Sequence, residues 1–159
     1  MFLGIQQGKI KFYTQQPLDK AFYNLDEVIE TTDEYVLDNE EYVLNDEEYQ
    51  AKKAQEEKER VAQLTCTKRV FALMLQELGI TYTQLKELIS TNEQAQLEWD
   101  LCVELQRANP LLDIMASQLG VTSEQLDGLF KYANGEITIE DFRGLVVVEE
   151  VTEVKDEIS

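Results

Sequence analysis

The sequence predicts a mainly α-helical protein, a small bundle of five or six helices preceded by an acidic N-terminal segment with short strands. Apolar residues are spaced three and four apart through most of residues 61–142. A 41-residue internal repeat there contains signals for starting and ending helices. The 159 residues, 43% hydrophobic and 29% charged, are enough to bury one main core.

Residues 1–49 form the acidic segment, whose aromatic and β-branched residues favour short strands. Residues 35–41 (YVLDNEE) and 42–48 (YVLNDEE) form a near-exact seven-residue repeat, each a β-prone triplet followed by polar residues. Two interpretations remain open. The repeat is a small hairpin that turns at Asp38-Asn39, or it is two copies of an extended element that docks on a partner's sheet edge.

The charged residues of segment 50–66 predict an exposed helix or stalk. Lys52 and Glu56 lie four residues apart, as expected for ion pairs on a solvated helical surface. Because apolar residues continue at helical spacing beyond residue 61, we expect this helix to run on into the core. Only Ala51 and Ala54 could form a coiled-coil seam in its first half, which is too little for a coiled coil.

Residues 67–143 are predicted to form the helical core, which contains the 41-residue repeat: residues 73–88 align with residues 114–129. Each copy has a glycine that ends one helix, a threonine that caps the next and a glutamine that completes a capping box. These residues are Gly79, Thr81 and Gln84 in the first copy and Gly120, Thr122 and Gln125 in the second. A weaker third copy lies at residues 135–142.

Between the two copies, residues 92–108 are expected to form one helix, and Asn109-Pro110 has the residue types that begin the next. The spacing of apolar residues within these helices predicts which side chains are buried. The predicted core comprises Phe71, Leu75, Leu78, Leu85, Leu88, Leu101, Leu105, Leu119, Leu126 and Phe130. Residues 144–159 read as an acidic C-terminal strand or tail.

The sequence offers little chemistry for catalysis. It contains no histidine, which removes the commonest general base and metal ligand, and it has no Gly-rich phosphate loop or calcium-loop spacing. We therefore predict a non-enzymatic protein with no catalytic residue, cofactor or metal. Cys66 and Cys102 lie in apolar helical contexts and are expected to be reduced core thiols, with a disulfide as the alternative.

Negative charge is concentrated in one part of the chain. The net charge is −18, and residues 24–49 hold eleven acids with no lysine or arginine. Such a surface repels phosphates, so we expect a partner protein with a basic surface rather than nucleic acid, even though the 41-residue repeat resembles a helix-turn-helix. A purely solubilising role for the acids and a homo-oligomer both stay open. The predicted partner-binding residues are Asp33, Glu34, Tyr35, Asp38, Glu40, Glu41, Tyr42, Asp46, Glu47 and Glu48.

Short segments spread over most of the chain form a second kind of pattern. They are residues 11–14 (KFYT), 23–28 (YNLDEV), 67–71 (TKRVF), 99–102 (WDLC) and 109–112 (NPLL). With the YVL repeats, these segments resemble small acidic proteins encoded in the tail-gene region of bacterial phages and prophages. The resemblance implies a tail accessory or assembly factor and assigns no functional residue.

Two functions follow from these observations. The resemblance favours a phage tail-associated structural or assembly protein that acts by binding another protein. The charge favours an inhibitor that mimics nucleic-acid phosphates and blocks a host defence nuclease, such as a CRISPR effector or a restriction enzyme. No apolar run reaches the ~20 residues that span a bilayer, so we expect no membrane contact. The expected location is the cytoplasm of the bacterial host or the virion.

Overall fold

A computed structural model of the chain describes residues 1–146, which divide into two units at Glu56 and Glu57. The first unit contains strands β1 (Phe2–Gln6), β2 (Lys9–Thr14), β3 (Glu27–Glu30), β4 (Tyr35–Asp38) and β5 (Glu41–Leu44). Helix α1 (Glu47–Ala62) begins in the first unit and ends in the second. The second unit continues with β6 (Thr65–Thr67), α2 (Lys68–Glu77), α3 (Tyr82–Ser90), α4 (Glu93–Leu101), β7 (Glu104–Gln106), α5 (Pro110–Gln118), α6 (Ser123–Ala133) and α7 (139–146).

The first unit consists of a three-stranded antiparallel sheet and a separate hairpin. The sheet has the order β2-β1-β3, and Gln7-Gly8 forms the tight turn between its first two strands. The carboxylate of Asp26 accepts a hydrogen bond from the backbone N–H of Gln7. The buried hydrophobic side chains of the first unit are Leu3 and Leu25. Strands β4 and β5 pair with each other, so the hairpin interpretation of the YVL repeat is confirmed. The turn is Asn39-Glu40, one residue later than the predicted Asp38-Asn39.

The second unit is built around the two copies of the 41-residue repeat. Gly79 and Gly120 have φ values of +79° and +76°, the left-handed conformation that ends a helix. Thr81 and Thr122 then form complete capping boxes with the glutamines three residues later. In the weaker third copy, the Thr138 hydroxyl accepts from the N–H of Asp141, whose carboxylate accepts from the N–H of Thr138. Local sequence therefore sets these helix starts.

The core of the second unit is apolar and includes the ring of Phe71 in contact with two other aromatic rings. The ring centroid of Phe71 lies 6.3 Å from that of Trp99 and 6.4 Å from that of Phe130, within the range of favourable aromatic pairs. The largest side chains that are completely enclosed are Phe130, Phe142, Leu85, Ile89, Leu126 and Leu129. Burial of these groups is the main stabilising contribution to this unit.

Arg107 joins the start of α5 to the start of α6. Its side chain is only 10% exposed, and its guanidinium donates to Asp127 at 2.6 Å, Asp113 at 3.0 Å and the Ser123 hydroxyl at 3.1 Å. A buried arginine is tolerated when its charge is paired and its N–H groups have acceptors. Arg107 therefore serves packing within this unit and is not available to an external partner.

The predicted fold class is wrong. Residues 1–146 contain seven helices, and 49% of these residues are helical, but 20% of them lie in strands of three small sheets, so the protein mixes α and β structure. One sheet, β6 paired with β7, lies inside the region predicted to be helical throughout. Its pairing puts Cys66 opposite Leu105, and both side chains are buried.

Two predicted helices are shorter than expected. The helix predicted to run from residue 50 into the core ends at Ala62, because the β-branched residues of 65–67 favour a strand and the Thr67 hydroxyl caps a new helix by accepting from Val70 N–H at 3.2 Å. The helix predicted over residues 92–108 ends at Leu101, since residues 104–106 pair with β6. The prediction for residues 144–159 lies outside the described residues, apart from residues 144–146, which are helical.

Most of the predicted core is confirmed. Six of the ten side chains are buried and Leu78, Leu88 and Leu119 are partly buried, but Leu101 is 74% exposed, so its assignment to the core is wrong. Its helix turns a different face toward the core, the face of Ala95 and Trp99. Cys66 is a buried free thiol as predicted, and Cys102 is a half-buried one, so the disulfide alternative is not supported.

The contrast between Leu126 and Leu101 gives a direct test of this packing. Leu126 is 0% exposed, so Leu126→Ala should lower the free energy of unfolding by about 2–5 kcal/mol. Leu101→Ala removes the same atoms from an exposed position and should change it by less than about 0.5 kcal/mol. Urea denaturation followed by circular dichroism measures both values. Equal losses for the two variants would contradict the described orientation of α4.

Candidate functional site

The ten predicted partner-binding residues lie together in the first unit. They occupy the strands and turn of the β4–β5 hairpin, the segment just before it and the first turn of α1. The hairpin brings the two copies of the YVL repeat side by side, because Tyr35 pairs with Leu44 and Leu37 pairs with Tyr42. The predicted residues therefore form one continuous region of the unit, although their side chains have different environments.

Tyr35 and Tyr42 are packing residues rather than exposed ligands. Both are half-buried, and both contact the ring of Tyr13, at centroid distances of 5.6 Å and 6.2 Å. The Tyr13 hydroxyl donates a hydrogen bond to the backbone carbonyl of Asp33 at 3.1 Å. These contacts hold the hairpin on strand β2, so the two tyrosines orient the site instead of forming its outer surface.

Two of the predicted carboxylates are neutralised within the unit. Asp38 accepts from Lys53 Nζ at 2.8 Å and from the Tyr49 hydroxyl at 3.2 Å, and the hydrogen bond from Lys53 lowers the pKa of Asp38. Glu41 forms an ion pair with Lys9, whose hydrogen bond lowers the pKa of Glu41. Both pairs tie the hairpin to neighbouring elements, α1 in the first case and β2 in the second.

Two further predicted acids have local structural roles. Glu34 accepts from the side-chain amide of Asn45 at 3.2 Å. The Asp46 carboxylate accepts from Tyr49 N–H at 2.8 Å and so caps the start of α1. These two residues and the two ion-paired ones, Asp38 and Glu41, therefore contribute contacts to the folded unit. Sequence reasoning missed Lys9 and Lys53, because neither lies near its acidic partner in the chain.

Four predicted acids remain unpaired. The carboxylates of Asp33, Glu40, Glu47 and Glu48 are exposed and make no hydrogen bond or ion pair with any residue between 1 and 146. Glu47 and Glu48 lie in the first turn of α1, where the helix dipole favours negative charge, so helix stability partly explains them. Asp33 and Glu40 are at loop and turn positions with no such explanation.

Glu40 adopts a backbone conformation that is unfavourable for glutamate. Asn39 and Glu40 form the hairpin turn with φ values of +49° and +67°. A two-residue turn with both φ values positive strongly prefers Asn followed by Gly. The other hairpin of the unit follows this preference at its second position, since its turn is Gln7 at +52° and Gly8 at +73°. The β4–β5 hairpin keeps an exposed glutamate where glycine would be less strained.

A shallow cleft of about 420 Å³ lies beside this turn. It is lined by Gly8–Lys11 of the first hairpin and by Asn39–Tyr42 of the second, including Lys9, Lys11, Glu40 and Glu41. Charges of both signs line it, and Lys9 is already paired with Glu41. The cleft therefore lacks the mostly apolar lining that is typical of a small-molecule site.

The described residues hold few features of a reactive centre. Burial raises the pKa of the Cys66 thiol to about 12, so it is protonated and unreactive at neutral pH. Within residues 1–146 no group of three or more Cys, Asp or Glu side chains is arranged to hold a metal ion. No helix in the same region combines the length and apolar character that crossing a bilayer requires.

Comparison of the chain with protein-family models, with curated proteins and with solved structures found no match. The resemblance to proteins of the phage tail-gene region therefore stays a prediction.

The Asp38–Lys53 pair should make the first unit sensitive to acid. Because the pKa of Asp38 is lowered from its usual 3.8, its contribution is complete at neutral pH and is lost as the pH falls through the lowered value. We expect wild type to be more stable than Asp38→Asn at pH 7, and the difference to shrink as the pH falls through the lowered pKa of Asp38. Urea titrations followed by circular dichroism at each pH measure it. Lys53→Met should reproduce the loss at pH 7, and a constant difference down to pH 2 would contradict the ion pair.

The strain at Glu40 can be measured as stability. Glu40→Gly should stabilise the hairpin by up to about 1 kcal/mol, because glycine adopts positive φ without steric cost. Glu40→Gln should have little effect, since it keeps the strained backbone. The reverse change in the other hairpin is Gly8→Ala at φ +73°, which should lower the free energy of unfolding by about 1 kcal/mol. The added methyl group would meet no atom within 4 Å, so the loss would come from the backbone conformation alone. Loss of stability in Glu40→Gly would contradict the described turn.

Proposed function

We propose that this chain is a non-enzymatic binding protein that engages the basic surface of another protein through acids at the turn of its β4–β5 hairpin, the hairpin tip, and in the first turn of α1, which follows strand β5. The observation that carries the proposal is Glu40. Its exposed carboxylate has no partner within residues 1–146, and its backbone is kept at φ +67°, where glycine would fold more favourably. Residues held in unfavourable conformations are concentrated at functional sites. Solubility does not require a charge at a strained turn, because many unstrained surface positions would serve.

Electrostatics support a cationic partner. Four exposed carboxylates without a partner in the described part of the chain lie within sixteen residues of sequence: Asp33, Glu40, Glu47 and Glu48. The acidic run around them contains no lysine or arginine. Like charges so close together destabilise the folded state, and a basic surface would relieve this repulsion. Such a surface would also be attracted over a distance, which raises the rate of association. Phosphate backbones would be repelled, so direct binding of nucleic acid is disfavoured.

Two biological roles fit this chemistry. The resemblance to proteins of the phage tail-gene region supports a role as a tail-associated structural or assembly factor, present in the host cytoplasm or in the virion. The net charge of −18 supports the second candidate, an inhibitor that presents carboxylates in place of phosphates to a host nuclease. In either role the acids of the first unit make the contact.

Affinity capture with charge variants tests the proposal. The test variant carries Glu40→Gln, Glu47→Gln and Glu48→Gln, and leaves Glu41 unchanged because that residue pairs with Lys9. The control carries Glu87→Gln, Glu124→Gln and Glu140→Gln, which remove the same charge from exposed positions of the helical unit. The partner is isolated from phage-infected or lysogenic cells on wild-type protein, and its association rate with each variant is then measured.

We expect the test variant to associate on the order of tenfold more slowly than wild type at low salt, and the control to resemble wild type. At 1 M salt, where the screening length is about 3 Å, all three rates should converge. Equal rates for the test variant and the control at low salt would overturn the proposal. A fibre protein retained regardless of salt would support the tail role, and a nuclease released by high salt would support the inhibitor role.

A further inference from the structure

Helix α4 has apolar side chains on two opposite faces. Ala95 and Trp99 are buried in the core of the second unit, at 4% and 8% exposure. Leu97 and Leu101 lie two residues further along, which is about 200° around a helix of 3.6 residues per turn, and they are 57% and 74% exposed. A helix that is apolar on both sides normally has both sides covered. Here only the Ala95–Trp99 face has a partner within residues 1–146.

The exposed face continues past the end of the helix. Val103 is 84% exposed, just before Leu105 turns into the core as part of β7. Leu97 and Leu101 form an i, i+4 ridge along the helix, and Val103 extends the apolar surface beyond Cys102. Exposed apolar clusters with a polar rim are typical of interaction sites in water-soluble proteins. This surface, made by Leu97, Leu101 and Val103, is called the α4 ridge below.

Most charges around the α4 ridge are negative. Lys68 is a cation at the end of α4, where its Nζ donates to the carbonyl oxygen of Trp99 at 2.7 Å. Residues 93–104 contain Glu93, Glu98, Asp100 and Glu104, all exposed, and no lysine or arginine. Asp100 accepts one hydrogen bond from the neutral side chain of Gln96 at 2.9 Å, so its charge is not neutralised. Glu93 lies in the same i, i+4 row as the two leucines, one turn before Leu97.

We propose that the α4 ridge is a second binding surface, which docks a basic amphipathic helix of a partner protein. An i, i+4 ridge matches the way that two helices pack, with the apolar side chains of one lying in the groove of the other. Lysine or arginine beside the apolar stripe of the partner helix would face the carboxylates at the rim. A second copy of this chain is the wrong occupant, because it would bring two acidic rims together.

This surface is independent of the hairpin tip proposed above. It lies in the second unit and includes Leu101, whose burial the sequence predicted and whose exposure the structure shows. The hairpin tip lies wholly in the first unit. The hairpin tip has carboxylates without an exposed apolar ridge of this kind, and it would recognise charge alone. The α4 ridge combines apolar contact with charge, which favours a partner helix with one apolar face.

A synthetic peptide serves as the probe for this chemistry. It is an amphipathic helix of about 18 residues, built only of leucine on one face and lysine on the other, and its dissociation constant is measured by isothermal titration calorimetry. The test variant carries Leu97→Gln and Leu101→Gln. The control carries Leu37→Gln and Ile114→Gln, which change apolar residues of comparable exposure, 63% and 53%, outside α4. Circular dichroism checks that each variant is folded.

We expect the dissociation constant to rise at least about tenfold in the test variant and less than about twofold in the control. The triple variant of Glu40, Glu47 and Glu48 should bind this peptide within about twofold of wild type, which separates failure of this proposal from failure of the hairpin proposal. Equal affinity of wild type and the test variant would overturn the α4 ridge as the docking site. Self-association of wild type that the test variant abolishes would also overturn it, in favour of a second copy.

Discussion

A shortage of positive charge constrains the whole structure. The chain has 32 acidic residues and only 14 basic ones, so most carboxylates cannot have a cationic partner of their own. Several of the available cations join segments that are far apart in the sequence: Lys9 with Glu41, Arg60 with Glu136, and Arg143 with Glu77. Lys131 and Arg60 both contact Glu57, which lowers the pKa of that residue to about 2. Among the acids of the hairpin region, Asp33, Glu40, Glu47 and Glu48 have no such cation within residues 1–146.

Local features of the structure could be read from the sequence, and long-range ones could not. The caps at Thr81 and Thr122 depend on residues within four positions, so the repeated pattern was sufficient to predict them. The pairing of residues 65–67 with residues 104–106 depends on how the helices between them fold back, and no local signal marks it. Leu101 shows a related limit, because helical spacing predicts which residues share a face but not which of two apolar faces is buried.

In the candidate site, too, local features could be predicted from the sequence and long-range contacts could not. The acidic run and the YVL repeat located the hairpin, but the partners that separate paired acids from free ones could not be found without the fold. Asp38 is bound by Lys53 and Glu41 by Lys9, whereas Glu40, between them in the sequence, has no partner in residues 1–146 and has a strained backbone. The candidate binding residues among the eleven acids of residues 24–49 are therefore reduced to those without a partner in residues 1–146, such as Glu40.

Zero-length cross-linking shows directly which carboxylates contact a partner protein, because a carbodiimide couples a carboxylate only to an amine in direct contact with it. The protein is treated with carbodiimide in a lysate of phage-infected bacterial cells, and the linked peptides are identified by mass spectrometry. We expect intermolecular links to arise chiefly from Glu40, Glu47 and Glu48. They should lead to lysines of the same partner protein in each experiment. Links spread evenly over exposed acids such as Glu87, Glu124 and Glu140, or leading to many unrelated proteins, would contradict this expectation.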